Sequence, residues 1–305
     1  TPQHLGPARD SVQETTAHPR SPSYTKLRED RRLTHIGREG SGDRVALHYP
    51  VACGECESCS RGYEQFCRRG AMVGHGRDGG WAEYVVVPER NLVGLPPDVS
   101  YAHGAVLMCA GATSLHALRR ARLVRGETVA IFGVGGLGML AIQLARALGA
   151  ADVYAIDLDS DKLASAHALG AIPIDAGQAD PVETLRFLTR HRGVDVALEL
   201  IGLSLTIQQA IRSVGIHGRT VVAGLASHSV EVDTYRDLLA NESELMGAND
   251  HLLSELPFLL HLAQQGAISL SHVVRREIRL DADAVNGVLD ALDNFVSPVR
   301  TVIVS

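Results

Sequence analysis

A doubly wound parallel α/β sheet joined to a smaller β-rich domain is the architecture this sequence predicts, and three observations carry it. The 305 residues include 30 glycines but only 4% aromatics, which suits many tight strand-to-helix turns better than an aromatic-filled sandwich. Beyond Pro96 and Pro97, short apolar runs alternate with helical stretches, the pattern of a parallel sheet covered on both faces. A glycine-rich turn at residues 133–138 stands between one such run and the helix after it.

Taken in order, residues 1–32 carry Pro2, Pro7, Pro19 and Pro22, mixed charges and few apolar side chains, so they are expected to be disordered or atypical. The runs 45–47 and 84–87 are short, partly β-branched and bounded by Gly and Pro, as strands are. Further strands are expected at 128–132, 152–156, 171–174, 194–198, 220–223 and 244–246. Between the first two of these lies a helix over 137–148, apolar enough to be covered on most faces. Two amphipathic helices, 252–264 and 282–294, and two strands, 273–278 and 301–304, complete the chain.

Composition removes several function classes. No apolar run approaches the roughly 18 residues that cross a bilayer, and 29 basic against 35 acidic residues give a net charge of −6, which draws the chain toward neither phosphate backbones nor anionic lipid. Neither a membrane nor a nucleic acid is an expected partner. Residues 1–30 contain no apolar leader-like stretch, and the cysteines do not resemble a disulfide framework, so the expected location is the cytoplasm.

Each glycine of the turn has a separate use. Gly133 permits the tight turn, Gly135 lets the backbone approach a pyrophosphate, and Gly138 lets the helix pack closely on the sheet, with Gly136 and Leu137 in the helix start that faces the phosphates. The next strand ends at Asp157, 24 positions after Gly133, where a carboxylate would accept hydrogen bonds from both adenosine ribose hydroxyls and repel a 2′-phosphate. No Arg follows directly, so NAD(H) is expected rather than NADP(H). The alternative is a tight turn in some other doubly wound fold, with Asp157 merely capping the next helix.

Four of the five cysteines, Cys53, Cys56, Cys59 and Cys67, lie within fifteen residues, with Cys109 far downstream. Four thiolates on one loop suit a closed tetrahedral zinc site that staples the loop and leaves no position for water. An iron–sulfur cluster also takes four cysteines, but a hydride-transfer domain beside it needs no one-electron carrier.

In combination, Gly42-Asp43-Arg44-Val45, the cysteine lobe, Gly79-Gly80-Trp81-Ala82-Glu83-Tyr84, Cys109-Ala110-Gly111-Ala112-Thr113, the glycine turn, Asp157 and Arg300 resemble the zinc-dependent medium-chain alcohol dehydrogenases over about residues 42–305. The resemblance implies a GroES-like catalytic domain at 33–110, rejoined by 250–305, and a Rossmann domain at 111–249, with substrate in the cleft between them. It implies a structural zinc on Cys53, Cys56, Cys59 and Cys67 and a catalytic zinc with Cys109 among its ligands. It further implies Thr113 against the nicotinamide, Leu137 behind that ring, Lys162 at the adenosine ribose, Arg300 on the pyrophosphate and Tyr49 in the alcohol pocket.

The family's early Cys and its Gly-His-Glu segment have no counterpart in residues 1–40, where His18 and His35 read as surface histidines. An absent native N-terminus, an out-of-frame stretch over 1–32 and a lost catalytic metal each fit that departure. The expected activity is hydride transfer between a primary or secondary alcohol and NAD, by a homodimer or homotetramer joined near residues 244–246. The alternative is a catalytically impaired relative that binds NAD(H) and one structural zinc but lacks a complete catalytic zinc site.

Overall fold

The computed structural model describes residues 42–225, 228–293 and 300–304, so the expectations for 1–32, including His18, and for His35 lie outside it. The chain enters through β1 (Val45–Leu47) and β2 (Pro50–Val51). It then passes through the four-cysteine loop with its single-turn helix α1 (Glu57–Ser60), and continues into β3 (Ala71–Met72) and β4 (Leu92–Gly94). β1 pairs antiparallel with β4, and β2 with β3. Buried Asn91 fastens this region: its Nδ2 donates to the carbonyls of His48 at 2.6 Å and Pro50 at 3.0 Å, fixing the backbone on both sides of Tyr49.

The expected strand at 84–87 does not form. Tyr84 is 72% exposed and Val85 38%, no strand lies alongside among the described residues, and the carbonyl of Val86 accepts from the Arg77 side chain instead. An apolar, β-branched run is a strand only where a neighbour completes its hydrogen bonds, and the sequence window contains no information about that neighbour.

A nearly continuous helical run follows: α2 (Tyr101–Val106), a π turn (Leu107–Gly111) and α3 (Ala112–Arg120). The central sheet then begins with β5 (Val129–Phe132), α4 (Gly136–Ala147), β6 (Val153–Asp157), α5 (Ser160–Ala168) and β7 (Ile172–Asp175). It continues with α6 (Pro181–Leu188), β8 (Val194–Glu199), α7 (Ser204–Ser213), β9 (Val214–Val222) and β10 (Glu244–Gly247). The spatial order is β10-β9-β8-β5-β6-β7 with every pair parallel, as the alternating pattern predicts. The chain walks outward from β5 to β7 and then returns to lay β8 on the other side of β5. That reversal opens a crevice at the carboxyl ends of β5 and β8, which is where ligands bind in such sheets.

Alternation along β5 separates the two faces. Val129 and Ile131 enter the apolar core shared with α3, α4 and α5, while Ala130 and Phe132 pack with Leu185 of α6 and Ala210 of α7. β9 starts six residues before the expected boundary of 220: the ladder shifts register between Val194 and Val196, and His217 lies at φ 55°. A strand bent in this way reads in sequence as a Gly-rich loop. The chain ends with α8 (Leu256–Gln264), β11 (Val274–Arg279), α9 (Ala282–Asp293) and β12 (Arg300–Val304), β11 and β12 pairing parallel. Val273 and Val302 from this last stretch share the core that holds Ala46 and Leu95.

Candidate active site and cofactor crevice

A cleft of about 770 Å³ lies between the first strands, the π turn and β12. Three residues far apart in sequence, Tyr49, Cys109 and Arg300, line it together, with Trp81 and Glu83 from the Gly-Gly-Trp segment on its rim. Cys109 is the only residue of the π turn that is exposed; Leu107, Met108, Ala110 and Gly111 are buried. Single π turns inside helices recur at functional sites because the widened turn re-aims a side chain without ending the helix.

Behind Tyr49 runs a buried polar chain that the sequence alone does not disclose. The Tyr49 hydroxyl donates to Asp250 Oδ1 at 2.6 Å. His251 Nδ1 lies 2.8 Å from the same oxygen, off the line of a straight hydrogen bond, and His251 Nε2 is 3.2 Å from His48 Nδ1. Asp250 sits at φ 59°, in the left-handed region that aspartate enters more readily than most residues. Burial alone would raise the Asp250 carboxyl, but the close His251 ring and the hydrogen bond from Tyr49 outweigh it and hold it below its ordinary value. Burial first, and then the Asp250 carboxylate, push the Tyr49 hydroxyl far above its usual range, so it keeps its proton. Burial and the facing His251 lower His48 from 6.5 to about 4, leaving its ring neutral. The only sequence signals for this group are the adjacent pairs His48-Tyr49 and Asp250-His251, separated by 201 positions or more.

The glycine turn has the geometry expected of it. Gly133 lies at φ 96°, and a Cβ at Gly138 would overlap the carbonyl of Gly133, so neither position tolerates a side chain. Around Gly135 nothing stands within 4 Å of where a Cβ would lie. α5 and α6 are capped by Asp159 and Asp180, each accepting from two backbone N–H groups, but α4 has no side-chain cap. Its first-turn N–H groups are therefore left for an anion. Arg300 lies directly over Gly136, close enough that a Cβ there would overlap its guanidinium, and its Nε is buried without a partner. That orphaned donor, beside an uncapped helix start, fits the pyrophosphate of a dinucleotide.

Asp157 Oδ2 accepts from Val134 N at 2.8 Å, and Oδ1 from Leu158 N and Asp159 N at 2.8 and 3.1 Å. The carboxylate is thus fixed at the end of β6 beside the glycine turn, and the cap of the following helix is Asp159, not Asp157. Lys162 Nζ is 3.7 Å from Asp159. Leu137 and Thr113 are both half-buried, and the helices that carry them are tied by Ser114 Oγ, which donates to the carbonyl of Leu137 at 2.8 Å.

The cysteine lobe is a separate site. The four Sγ atoms lie within 4.8 Å of one another, with neighbouring separations of 3.4 to 3.8 Å. Tetrahedral zinc with Zn–S bonds of about 2.3 Å needs sulfurs about 3.8 Å apart. Donors already face the sulfurs: Cys56 N and an Arg69 guanidinium nitrogen each approach Cys53 Sγ at 3.3 Å. The backbone N–H of Glu55 leads the effects that lower Cys53 to about 6, while burial pushes Cys59 up to about 12. Thiols this close cannot all ionise alone, and a dication removes the conflict. The lobe fits a closed structural zinc. Cys109 has no comparable company: among the described residues the lobe is the one group of three or more potential metal ligands, and Cys109 is not part of it.

Comparison with known proteins agrees with this geometry. The profile of zinc-binding dehydrogenases matches residues 136–262, and that of the alcohol dehydrogenase GroES-like domain matches 35–97. The (R,R)-butanediol dehydrogenase of Bacillus subtilis (strain 168) is 34% identical over 228 residues, which cover 75% of this chain and 65% of that protein. This chain therefore spans just under two thirds of that relative. L-threonine 3-dehydrogenase of Bacillus velezensis is 30% identical over 81% of this chain and 72% of its own length. Among solved structures, the alcohol dehydrogenase of the hyperthermophilic archaeon Aeropyrum pernix superposes with a TM-score of 0.80 at 33% identity, covering 89% of this chain and 78% of its own. Kinship that extends across both domains makes this chain a member of the zinc-dependent medium-chain alcohol dehydrogenase family.

Proposed function

We propose that the chain is an NAD-dependent alcohol dehydrogenase acting on small polar secondary alcohols. The observation that carries the reading is the Arg300 guanidinium, its Nε orphaned above Gly136 at one end of a cleft whose lining includes Cys109 and Tyr49. Bound NAD would accept the hydride of the carbinol carbon, with the hydroxyl proton passing to solvent so that the alcohol becomes a ketone. Arg300 and the first turn of α4 hold its pyrophosphate, Asp157 accepts the ribose hydroxyls with Lys162 nearby, and Thr113 and Leu137 flank the nicotinamide. The Tyr49 hydroxyl keeps its proton in a hydrogen bond to Asp250 and offers an oxygen lone pair to the substrate hydroxyl, so its part is to orient the alcohol. The substrate class rests on the two relatives named for a butanediol and for threonine, both small secondary alcohols with a polar neighbour. NAD over NADP rests on Asp157, whose charge opposes a 2′-phosphate. The exposed edge strand β10 is the proposed seam of a homodimer or homotetramer, to be read by sedimentation as two or four chain masses.

The test is a fluorescence titration of the purified chain with NADH and NADPH, followed by initial rates with 2,3-butanediol, L-threonine and 2-propanol. NADH is expected to bind at least tenfold tighter than NADPH, with the diol or threonine oxidised faster than 2-propanol. Tighter NADPH binding would overturn the cofactor assignment. NADH binding with no turnover of any alcohol would replace the enzyme reading with that of a cofactor-binding relative.

A further inference from the structure

At the end of the sheet opposite the cofactor crevice is a cavity of about 450 Å³ that alcohol oxidation does not use. It opens at the start of β8, five residues and so about 16 Å along the strand from Glu199 at the crevice end. Arg186 from α6, the loop residues Arg190, His191 and Arg192, and Asp195 and Asn241 line it. Residues 186–193 hold three arginines, one histidine and no carboxylate, in a chain whose net charge is −6. Arg190, His191 and Arg192 are exposed, and none forms a salt bridge among the described residues. The single acid in the cavity wall is engaged: Asp195 Oδ2 accepts from Thr128 N at 2.8 Å and Thr128 Oγ1 at 2.7 Å.

The loop is rigidly built. Buried Thr189 donates its hydroxyl to the Leu185 carbonyl at 2.7 Å and accepts from Gly193 N at 3.0 Å, and His191 N donates to the Arg186 carbonyl at 2.6 Å. Locked in this way, two consecutive residues, Arg190 at φ 53° and His191 at φ 63°, occupy the left-handed region where glycine or asparagine would sit more easily. Side chains retained at a strained backbone, in a concave site with guanidinium groups free of carboxylate partners, suggest that the strain serves a ligand.

We propose that this cavity binds a small molecule bearing two or more phosphoryl groups, gripped by the guanidinium groups of Arg186, Arg190 and Arg192 at a point remote from the cofactor. Arg186 Nη2 donates to the Arg212 carbonyl at 3.0 Å, which fixes that guanidinium at the cavity wall, while the exposed guanidinium groups of Arg190 and Arg192 can each take a phosphoryl oxygen pair, which fits a polyphosphate better than a single carboxylate. The site stands independently of the alcohol chemistry.

The test is calorimetric titration of the full chain with inorganic tripolyphosphate at 0.15 M salt, with NADH saturating so that the crevice is filled. The double variant Arg190→Gly/Arg192→Gln removes two guanidinium groups while relaxing the strained position. It is expected to weaken tripolyphosphate binding at least tenfold, leave NADH affinity unchanged, and keep or raise the melting temperature. No binding by the wild-type chain, equal affinity in the variant, or binding seen only at low salt would each overturn the proposal. If NADH itself fails to bind, the same pair of titrations in its absence decides the matter equally well, because the variant tests the location.

Discussion

The central sheet and the cysteine lobe differ first in what surrounds their backbone. All four residues of β5 are fully buried, and β8 is buried at five of its six positions. In the lobe, β2 and β3 are two residues long, α1 has no buried residue, and Tyr63 and Phe66 are 47% and 53% exposed. Apolar burial at roughly 25 cal/mol per Å² dominates the cohesion of the sheet, supplemented by ion pairs such as Arg219 with Glu127, and needs no metal. The lobe has little such area to use, so its order depends on metal, pH and a few hydrogen bonds.

Three measurements would break or sharpen that contrast. The largest effect is expected from Cys56→Ser, since structural zinc in small domains is worth apparent energies of about 10–16 kcal/mol. Zinc should fall from one per chain to well below one, with new protease cleavage between residues 53 and 67 while the sheet stays resistant. Metal retained at full occupancy would mean the lobe does not need its fourth thiolate. Next, Leu198→Ala, at a fully buried position of β8, should cost about 2–5 kcal/mol in urea unfolding, by the same amount with and without chelator. A loss that depended on chelator would join the two regions into one energetic unit.

The smallest effect concerns protons. His48 is lowered from 6.5 to about 4 in the fold, so between those pH values the unfolded chain binds the extra proton. Stability should therefore be complete above about pH 6.5 and fall as pH drops toward 4, by at most about 3 kcal/mol. His48→Gln, compared with wild type by thermal melts over that window, should remove this part of the slope. An identical slope in the variant would assign the acid sensitivity to other groups, such as the depressed Asp250 and Glu255 carboxyls.

The same contrast governs what the sequence discloses. The glycine turn, Asp157 and the cysteine spacing are legible because each acts over a short stretch whose geometry requires those residues and no others. β5, β6 and β8 are legible because strands buried on both faces must be apolar along most of their length, with polar residues such as Asp157, Asp195 and Glu199 confined to partly exposed or hydrogen-bonded positions. Residues 84–87 mislead because a β-branched run says nothing about whether a partner strand exists. The chain from Tyr49 through Asp250 and His251 to His48 is invisible for a different reason: it is made by bringing positions 48–49 against 250–251, and neither pair is unusual where it stands. Arg300 lies between these cases, its place over Gly136 expected only through family likeness.

The π turn at Leu107–Gly111 can also be described as a matter of phase. A regular helix advances about 100° per residue, so a side chain's bearing depends on how many residues have been wound before it. By under-winding once, the run from α2 to α3 keeps its apolar neighbours inward and lets a single sulfur point outward. Removing one residue just ahead of position 108 would preserve the helix yet rotate Cys109 into the buried bearing that Met108 now holds. The chain would keep every side chain of the cleft in its composition and lose the thiol from its wall.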